Sequence, residues 1–348
     1  MKYIFTIHSP ITFFCAANVI KYENLASEDV IFLYTNYRPP EGLGKIVKTF
    51  HDKNQSTLAK IKTFNLVKHY DNYLSSITEG DSFLAYIDLV HYYQRILITH
   101  SNCVGINFIE EGTASYIAPN SLHYLTFIEA KTQFRFNTIK ERVRAIRRIL
   151  RGFNLKSLAL PYSPGAYSFI PNSKFYGFSS LTFPGVPENK KVILLPDKLD
   201  SKKEYSIYDN SLILIEDSYF RVFKIKEEVT DNTIDLSLSI LDNDLKNRKV
   251  FIKLRPNQKE IDSLWGIALK RNAIPYKIIP STMILEEVLI YAKQCKLVGT
   301  VSSLLLYGSI FGHETLSNYD QIRDKPITVF DELEFYWDKV KLLNKDYE

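Results

Sequence analysis

Short apolar runs alternate with segments of helical periodicity along most of the chain. Each run is four to seven residues long and carries few charges, which is typical of strands buried in a parallel sheet. The segments Ile234–Leu245 and Ile261–Lys270 repeat apolar residues at helical spacing. Strands that alternate with helices predict a parallel α/β architecture. The predicted strands are 1–7, 29–35, 82–87, 104–109, 211–215, 250–254, 276–279, 296–299 and 326–330, and further helices are predicted for 92–98 and 284–294.

The alternating pattern loosens between about 157 and 205, where six prolines and several glycines fall. Stretches rich in proline and glycine are typical of connections between domains. The length of 348 residues also suits two domains with a core each. We therefore predict two Rossmann-like domains, 1–185 and 186–348, that face a central cleft, with the last helix able to pack back on the first domain.

The stretch Ile284–Gly312 contains a helix, a short strand and a second helix in direct succession. The strand Lys296–Gly299 is followed by Thr300, Ser302 and Ser303. Ser303 is the predicted cap of the apolar helix after it. The unpaired N–H groups and the dipole of a helix N-terminus favour an anion. The sequence predicts an anion site here, or else an ordinary capped turn between a strand and a helix.

A second turn supports the anion site, because Arg255 directly follows the predicted strand Lys249–Leu254. Ligands of open α/β sheets bind at the carboxyl ends of the strands. Arg255 with Ser302 and Ser303 is therefore a candidate phosphate clamp, the alternative being a surface arginine. Glu287, in the first turn of its helix, can accept hydrogen bonds from ribose hydroxyls. The favourable interaction of a carboxylate with the helix dipole explains this glutamate equally well.

Two adjacent carboxylates, Glu110 and Glu111, lie where the strand 104–109 meets its loop. A carboxylate at this edge of the sheet can act as a general base on an incoming hydroxyl, and Gly112 allows the chain to turn sharply. The alternative is a solvated pair of loop residues. Arg255 cannot act as the matching acid, because its guanidinium does not release a proton near neutral pH.

Composition excludes several classes of site. The three cysteines lie far apart in apolar surroundings, a pattern typical of reduced intracellular proteins. The seven histidines show no zinc-binding spacing, and we interpret Asp242-Asn243-Asp244 as the end of a helix and a loop. We therefore predict no metal and no cofactor. Neither a signal peptide nor a membrane-spanning run is evident, so we predict a cytoplasmic protein.

The segment 140–151 carries six basic residues and one glutamate. On a helix, Val143, Ile146, Ile149 and Leu150 form an apolar face that the basic side chains flank. Such a helix can lie on anionic lipid at the inner face of the plasma membrane or hold an anionic glycan, and it can also be the solvated face of a packed helix. No nucleic-acid-binding motif accompanies it, so we predict no nucleic acid partner.

Five motifs along the chain together resemble those of the bacterial sialyltransferases with two Rossmann-like domains, including the lipooligosaccharide and capsule sialyltransferases. Glu110-Glu111-Gly112 is similar to their acidic-acidic-glycine motif. Lys253–Pro256 is similar to their Lys-x-His-Pro motif, and Ser302-Ser303 to their late serine pair. Glu286–Leu289 resembles their Phe-Glu-Val-Leu helix, and Ser9–Thr12 their Ser/Thr-Pro-Leu turn. The motifs follow the order found in that family and span nearly the whole chain.

The resemblance implies a GT-B glycosyltransferase that moves sialic acid or a related nonulosonic acid from its CMP conjugate to an oligosaccharide or glycolipid, with inversion and without metal. Glu110 would be the base, with Glu111 the second candidate. Arg255 would stabilise the leaving phosphate, and Glu287 would hold the ribose. The other implied donor-binding residues are Lys253, Pro256, Thr300, Ser302 and Ser303, and the implied acceptor-side residues are Ser9, Pro10 and Thr12.

The sequence departs from the family pattern at Arg255, where the family has histidine. A fixed positive charge can stabilise a phosphate leaving group without donating a proton. The substitution also leaves two alternatives open. One is a two-domain transferase that uses another nucleotide sugar, and the other is a noncatalytic nucleotide- or glycan-binding protein of polysaccharide assembly.

Overall fold

The computed structural model describes residues 1–49, 66–88, 92–116, 139, 143, 146, 167–168, 170–196, 205–216, 227–255, 258–322 and 334–344. The chain divides into two compact units, Met1–Asp197 and Lys198–Glu348. The division falls after residue 197 and not after 185, because a strand at 191–193 pairs within the first sheet. Each unit contains its own parallel sheet.

The first unit is built on a seven-stranded sheet in the order β3-β2-β1-β4-β5-β6-β7, and every neighbouring pair is parallel. The order reverses between β1 and β4, which is the topological switch point of a doubly wound sheet. Phe5 in the central strand stacks on Tyr86 at a ring-centroid distance of 4.3 Å. The strands are β1 Lys2–Ile7, β2 Val30–Tyr34, β3 Lys45–Lys48, β4 Phe83–Ile87, β5 Cys103–Ile109, β6 Phe175–Gly177 and β7 Lys191–Ile193; the helices are α1 Pro10–Tyr22, α2 Leu66–Ile77 and α3 Tyr92–Thr99.

The second unit is built on a six-stranded sheet in the order β10-β9-β8-β11-β12-β13, again with all neighbours parallel. Its switch point lies between β8 and β11. All five residues of β8 and all four of β11 are buried, as expected for central strands covered on both faces. The strands are β8 Ser211–Ile215, β9 Lys249–Lys253, β10 Lys277–Ile278, β11 Lys296–Gly299, β12 Glu314–Ser317 and β13 Lys341–Leu342; the helices are α4 Glu227–Ile240, α5 Asp242–Asn247, α6 Leu264–Arg271, α7 Leu285–Tyr291, α8 Ser303–Ile310 and α9 Glu334–Lys339.

The parallel α/β class and the two Rossmann-like sheets are as predicted. The predicted helix 234–245 is instead two helices, α4 and α5. The predicted strand 326–330 lies outside the described residues. The last described helix, α9, contacts α8 of its own unit through Tyr336.

All three cysteines are free thiols, and Cys15 and Cys295 are buried. Among the described helices, none combines the length and the apolarity needed to cross a bilayer.

Candidate functional site

Three side chains meet where β1, β4 and β5 end at the carboxyl edge of the first sheet. His8 follows β1, Asp88 follows β4, and Glu111 lies two residues after β5. The His8 ring contacts Asp88 Oδ2 through Nδ1, and its Nε2 lies 3.0 Å from Glu111 Oε1. The ends of neighbouring strands thus bring three side chains into contact in the order Asp88, His8, Glu111. We refer to this group as the line Asp88–His8–Glu111.

The turn after β1 holds the backbone of His8. Ser9 caps α1 in a capping box with Thr12, and Pro10 occupies the first turn of the helix. The Thr12 hydroxyl accepts the backbone N–H groups of His8 and Ser9, at 3.2 and 3.1 Å. The fully buried Thr12 side chain therefore stabilises the turn. The acceptor-side role expected for Ser9, Pro10 and Thr12 stays a prediction.

Asp88 is the buried end of this line and contacts the His8 ring from the protein interior. Its carboxylate is buried and accepts a hydrogen bond from Thr6 Oγ1 at 2.8 Å. Burial alone would raise the pKa of Asp88, but the hydrogen bond and charge of His8 lower it. Burial alone would likewise lower the pKa of His8, but Asp88 and Glu111 outweigh burial and raise it to about 10. His8 is therefore an imidazolium at neutral pH.

The raised pKa of His8 makes part of the stability of the first unit dependent on pH. The stabilisation by the imidazolium is complete below the unfolded pKa of about 6.5 and is lost as pH rises toward the folded value of about 10. We expect the difference in unfolding free energy between the wild type and His8→Gln to be largest near pH 6 and to shrink by pH 9.5. Urea unfolding at both pH values measures it, and a difference independent of pH would contradict the charged state.

The two adjacent glutamates have different environments. Glu110 has no exposed surface, and its Oε2 accepts the backbone N–H of Phe178 at 2.7 Å. The Glu111 side chain is 18% exposed, and Gly112 adopts a φ of +128°, which a glycine tolerates in this sharp turn. Glu110 cannot contact a substrate in this conformation. The structure therefore reverses the expected order, and Glu111 is the stronger candidate for the base.

A second group of polar side chains lies at the carboxyl edge of the second sheet. Glu216 follows β8, Arg255 lies two residues after β9, and Ser302 and Ser303 lie after β11. Because β9 and β11 are both neighbours of β8, these residues share one edge of the sheet around its switch point. This confirms the predicted placement of Arg255 and the serine pair at one sheet edge, within the second unit.

Gln258 and Glu216 orient Arg255. The Gln258 side-chain oxygen accepts the backbone N–H of Arg255 at 3.2 Å and its Nε–H at 3.4 Å. Gln258 Nε2 donates to Glu216 Oε2 at 3.2 Å. The other Glu216 oxygen accepts Ser263 Oγ at 2.6 Å and the Trp265 N–H at 3.0 Å. Burial raises the pKa of Glu216, and these hydrogen bonds oppose the rise.

Ser302, and not Ser303 as the sequence suggested, caps α8. Its hydroxyl accepts the backbone N–H of Leu304 at 3.2 Å. The Tyr336 hydroxyl accepts the Ser302 N–H at 3.0 Å and donates to the Ser302 carbonyl at 3.1 Å. Thr300 is buried, and its hydroxyl donates to Asn318 Oδ1 at 2.9 Å. The two serines thus remain candidates for phosphate binding, whereas the Thr300 hydroxyl is directed into the protein.

Three further donor-side candidates lie around α7 and the end of β9. Glu287 is fully buried, so it cannot reach a ribose in this conformation, and its neighbour Glu286 is almost as buried. Lys253 Nζ donates to the Met283 carbonyl at 2.9 Å. Burial lowers the pKa of Lys253, and Glu286 opposes the change. Roles in donor binding for Glu287 and Lys253 stay predictions, and Pro256 lies outside the described residues.

The acidic pair at Asp242 and Asp244 is engaged in ion pairs. Asp242 pairs with Lys246, and Asp244 pairs with Arg248 and Lys296. Both aspartates lie in the first turn of α5, which begins two residues after α4 ends at Ile240. Within the described ranges, no group of three or more His, Cys, Asp or Glu side chains is arranged to hold a metal ion.

His8, Asp88 and Glu216 were not among the candidates that the sequence analysis selected. Each is the first residue after a strand of the sheet. The carboxyl ends of parallel strands meet at one edge. The sequence signal that could have identified all three is therefore a polar residue directly after a predicted strand.

The chain contains two Rossmann-like units, and each has polar side chains at the carboxyl edge of its sheet. This is the domain composition of a GT-B glycosyltransferase. Such an enzyme uses a nucleotide-sugar donor and a glycan acceptor. A family model described as alpha-2,8-polysialyltransferase matches residues 3–317. The chain belongs to that family, and it is a glycosyltransferase.

Several solved structures are similar to this chain at low sequence identity. Staphylococcus aureus MnaA with UDP is 11% identical, with a TM-score of 0.46, and the match covers 99% of this chain and 86% of MnaA. The Neisseria meningitidis UDP-GlcNAc 2-epimerase bound to UDP-GlcNAc is 11% identical, with a TM-score of 0.46 and coverage of 100% and 96%. The Escherichia coli heptosyltransferase WaaC is 8% identical, with a TM-score of 0.42 and coverage of 91% and 88%. A comparison with curated protein sequences finds no significant match.

Proposed function

We propose that the protein transfers sialic acid or a related nonulosonic acid from its CMP conjugate to a hydroxyl of a bacterial surface glycan, with inversion and without a metal ion. One observation carries the proposal. A chain of the alpha-2,8-polysialyltransferase family has a partly exposed carboxylate, Glu111, at the carboxyl edge of one sheet and an oriented guanidinium, Arg255, at that edge of the other.

In the proposed reaction, Glu111 accepts the proton of the acceptor hydroxyl while the hydroxyl oxygen attacks the anomeric carbon of the donor. The bond between that carbon and the CMP phosphate oxygen breaks, and its electron pair leaves with the phosphate. Attack from the face opposite the leaving group inverts the anomeric centre. The products are the extended glycan, CMP and a protonated Glu111, which then loses its proton to water.

Arg255 and the N-terminus of α8 stabilise the departing phosphate in this proposal. A guanidinium binds phosphate oxygens through two parallel hydrogen bonds. The N–H groups in the first turn of α8 add donors, and the helix dipole favours the negative charge. Because Arg255 cannot donate a proton, the leaving group departs as the anion, stabilised by fixed positive charge.

The family suggests a more specific acceptor, namely the terminal sialic acid of a growing α-2,8-linked chain. Incubation of the protein with CMP-sialic acid and either a sialylated or an unsialylated oligosaccharide tests this acceptor, with product masses as the readout. Successive mass increments on the sialylated acceptor alone support polymerisation. A single increment on the unsialylated one favours a lipooligosaccharide-type transfer, and no product with CMP donors favours another nucleotide sugar or the noncatalytic alternative.

We also propose that the protein lies peripherally on the inner face of the plasma membrane. Ile139, Val143 and Ile146 are helical and exposed, and their spacing places them on one face of a helix. They lie in or beside the basic segment 140–151. Exposed apolar residues flanked by basic ones suit the surface of an anionic bilayer.

Vesicle sedimentation tests this membrane contact. We expect the wild type to bind vesicles that contain phosphatidylglycerol, and the double variant Val143→Asp/Ile146→Asp to bind severalfold less, because it places two negative charges on the apolar face. Added salt should weaken binding. Ile261→Asp, which places a negative charge on an exposed isoleucine of the second unit, is the control. Binding that neither the double variant nor salt reduces would contradict the contact.

A further inference from the structure

His8 and Asp88, the two partners of Glu111 in the line Asp88–His8–Glu111, lie outside the motifs that carry the family resemblance. His8 follows β1 and Asp88 follows β4, so the pair occupies the switch point of the first sheet. Ligands of open α/β sheets bind in the crevice at this point. An ion pair that only joined two strands could lie at either end of them, whereas this pair lies at the end where ligands bind.

Both nitrogens of the His8 ring bind carboxylates. Nδ1 contacts Asp88 Oδ2, and Nε2 lies 3.0 Å from Glu111 Oε1. Within the described part of the chain, Asp88 and Glu111 are the charged groups in contact with this ring. Because a ring with both nitrogens protonated is a donor only, His8 cannot take a proton from a substrate in this arrangement.

The two ends of the line differ in exposure. Asp88 is buried and held by Thr6, whereas the His8 and Glu111 side chains are 28% and 18% exposed. The Thr12 hydroxyl also holds the His8 backbone. The ring is therefore anchored on the inner side and by its own backbone, and its outer nitrogen fixes one oxygen of the carboxylate that lies closer to solvent.

We propose that His8 and Asp88 are positioning residues for Glu111: the imidazolium, held by Asp88, fixes the direction of the Glu111 carboxylate before the acceptor binds. The inference rests on the proposed role of Glu111 as the base. The acceptor proton goes to Glu111, and His8 keeps both of its own protons throughout. The pair thus acts through Glu111 and makes no bond to the sugar.

Steady-state kinetics of CMP-sugar transfer by His8→Gln and Asp88→Asn test the positioning role. We expect kcat to fall roughly 10- to 100-fold in His8→Gln, the scale on which misplacement of a catalytic group costs rate, while KM for the donor stays unchanged. In Asp88→Asn the ring can lose its charge, so a new decline of kcat should arise between about pH 7 and 9.

Lys2→Gln is the matched control, since Lys2 pairs with Asp29 at 2.8 Å at the amino end of the same strand β1. We expect this variant to keep the wild-type kcat and pH profile. Because a strand-end ion pair is lost in both cases, a purely structural role predicts similar kinetics for Lys2→Gln and His8→Gln at equal folded fraction.

A second measurement does not depend on activity. Nitrogen-15 NMR titration of the His8 ring should show an imidazolium up to about pH 9, with a lower titration midpoint in Glu111→Gln and in Asp88→Asn. A ring that is neutral at pH 7.5 in the wild type, or His8→Gln with kcat within twofold of the wild type, would overturn the inference. If Glu111→Gln keeps full activity, or the wild type transfers no CMP-linked sugar, the proposed base and function fail, and the positioning role is overturned with them.

Discussion

Glu111→Gln is expected to lower kcat for sugar transfer roughly 100- to 10,000-fold, the usual scale for loss of a general base. The amide cannot accept the acceptor proton, although it keeps the size of the side chain and can still accept a hydrogen bond from His8. KM for the donor should change little, because Glu111 lies in the first unit and the predicted donor residues in the second. Radiolabel transfer from a CMP-linked sugar measures the effect, and the melting temperature verifies folding.

Glu110 provides the comparison, because it is the neighbouring carboxylate in the same motif. Glu110→Ala leaves the buried N–H of Phe178 without its acceptor, which costs about 1–3 kcal/mol of unfolding free energy. Its main effect should therefore appear in denaturant unfolding. If Glu110→Gln folds normally and loses activity while Glu111→Gln retains it, the base is Glu110, as the sequence alone suggested.

Arg255→Ala is expected to abolish the rise in melting temperature that CMP produces in the wild type. A hydrogen bond to a charged group contributes about 1.5–3 kcal/mol, so the variant should bind CMP roughly 10- to 100-fold more weakly. The rise in melting temperature follows the ratio of ligand concentration to Kd. We expect the rise to be specific to CMP and CDP over UDP and GDP, and to be the same with and without magnesium.

Arg271→Ala is the matched control for charge, because Arg271 is a surface arginine of the same unit in an ion pair with Asp235. It should leave the response to CMP unchanged. A response to UDP or GDP in place of CMP would retain the phosphate clamp and exclude the cytidine donor. A response to CMP that survives in Arg255→Ala would contradict the clamp.

The central strands could be predicted from sequence because both faces of a parallel sheet are covered, so apolar residues are continuous there. The predicted strands Ser211–Ile215 and Lys296–Gly299 have the observed bounds. The missed strands β3, β6, β7, β12 and β13 are only two to four residues long. Their positions follow from pairing with the rest of the sheet, which a local pattern does not contain.

The motifs identified the two sheet edges correctly but did not show the direction of individual side chains. The sequence does not distinguish the two adjacent glutamates. In the structure, Glu110 is buried and binds the Phe178 backbone, whereas Glu111 contacts the His8 ring. Thr300 and Glu287 are likewise buried in the fold. Which of two neighbouring polar residues faces solvent depends on packing against distant parts of the chain.

His8 and Asp88 could not be paired from the sequence, because 79 intervening residues separate them and only the strand order brings β1 beside β4. Glu216 depends in the same way on the loop after β9, where Gln258 links it to Arg255. Such contacts are not apparent in the sequence because the residues are far apart along the chain. The parallel pairing of the strands brings them together.

Tyr336 makes the loop that contains the serine pair dependent on a part of the chain that carries no motif. Its hydroxyl makes two hydrogen bonds to the backbone of Ser302. During synthesis on the ribosome, every predicted donor residue emerges before Tyr336 does. A nascent chain that ended before residue 334 would contain each donor motif and still lack the phenol that holds the N-terminus of α8. We therefore expect the backbone at Ser302 to reach its final hydrogen-bonded arrangement only after Tyr336 has been synthesised.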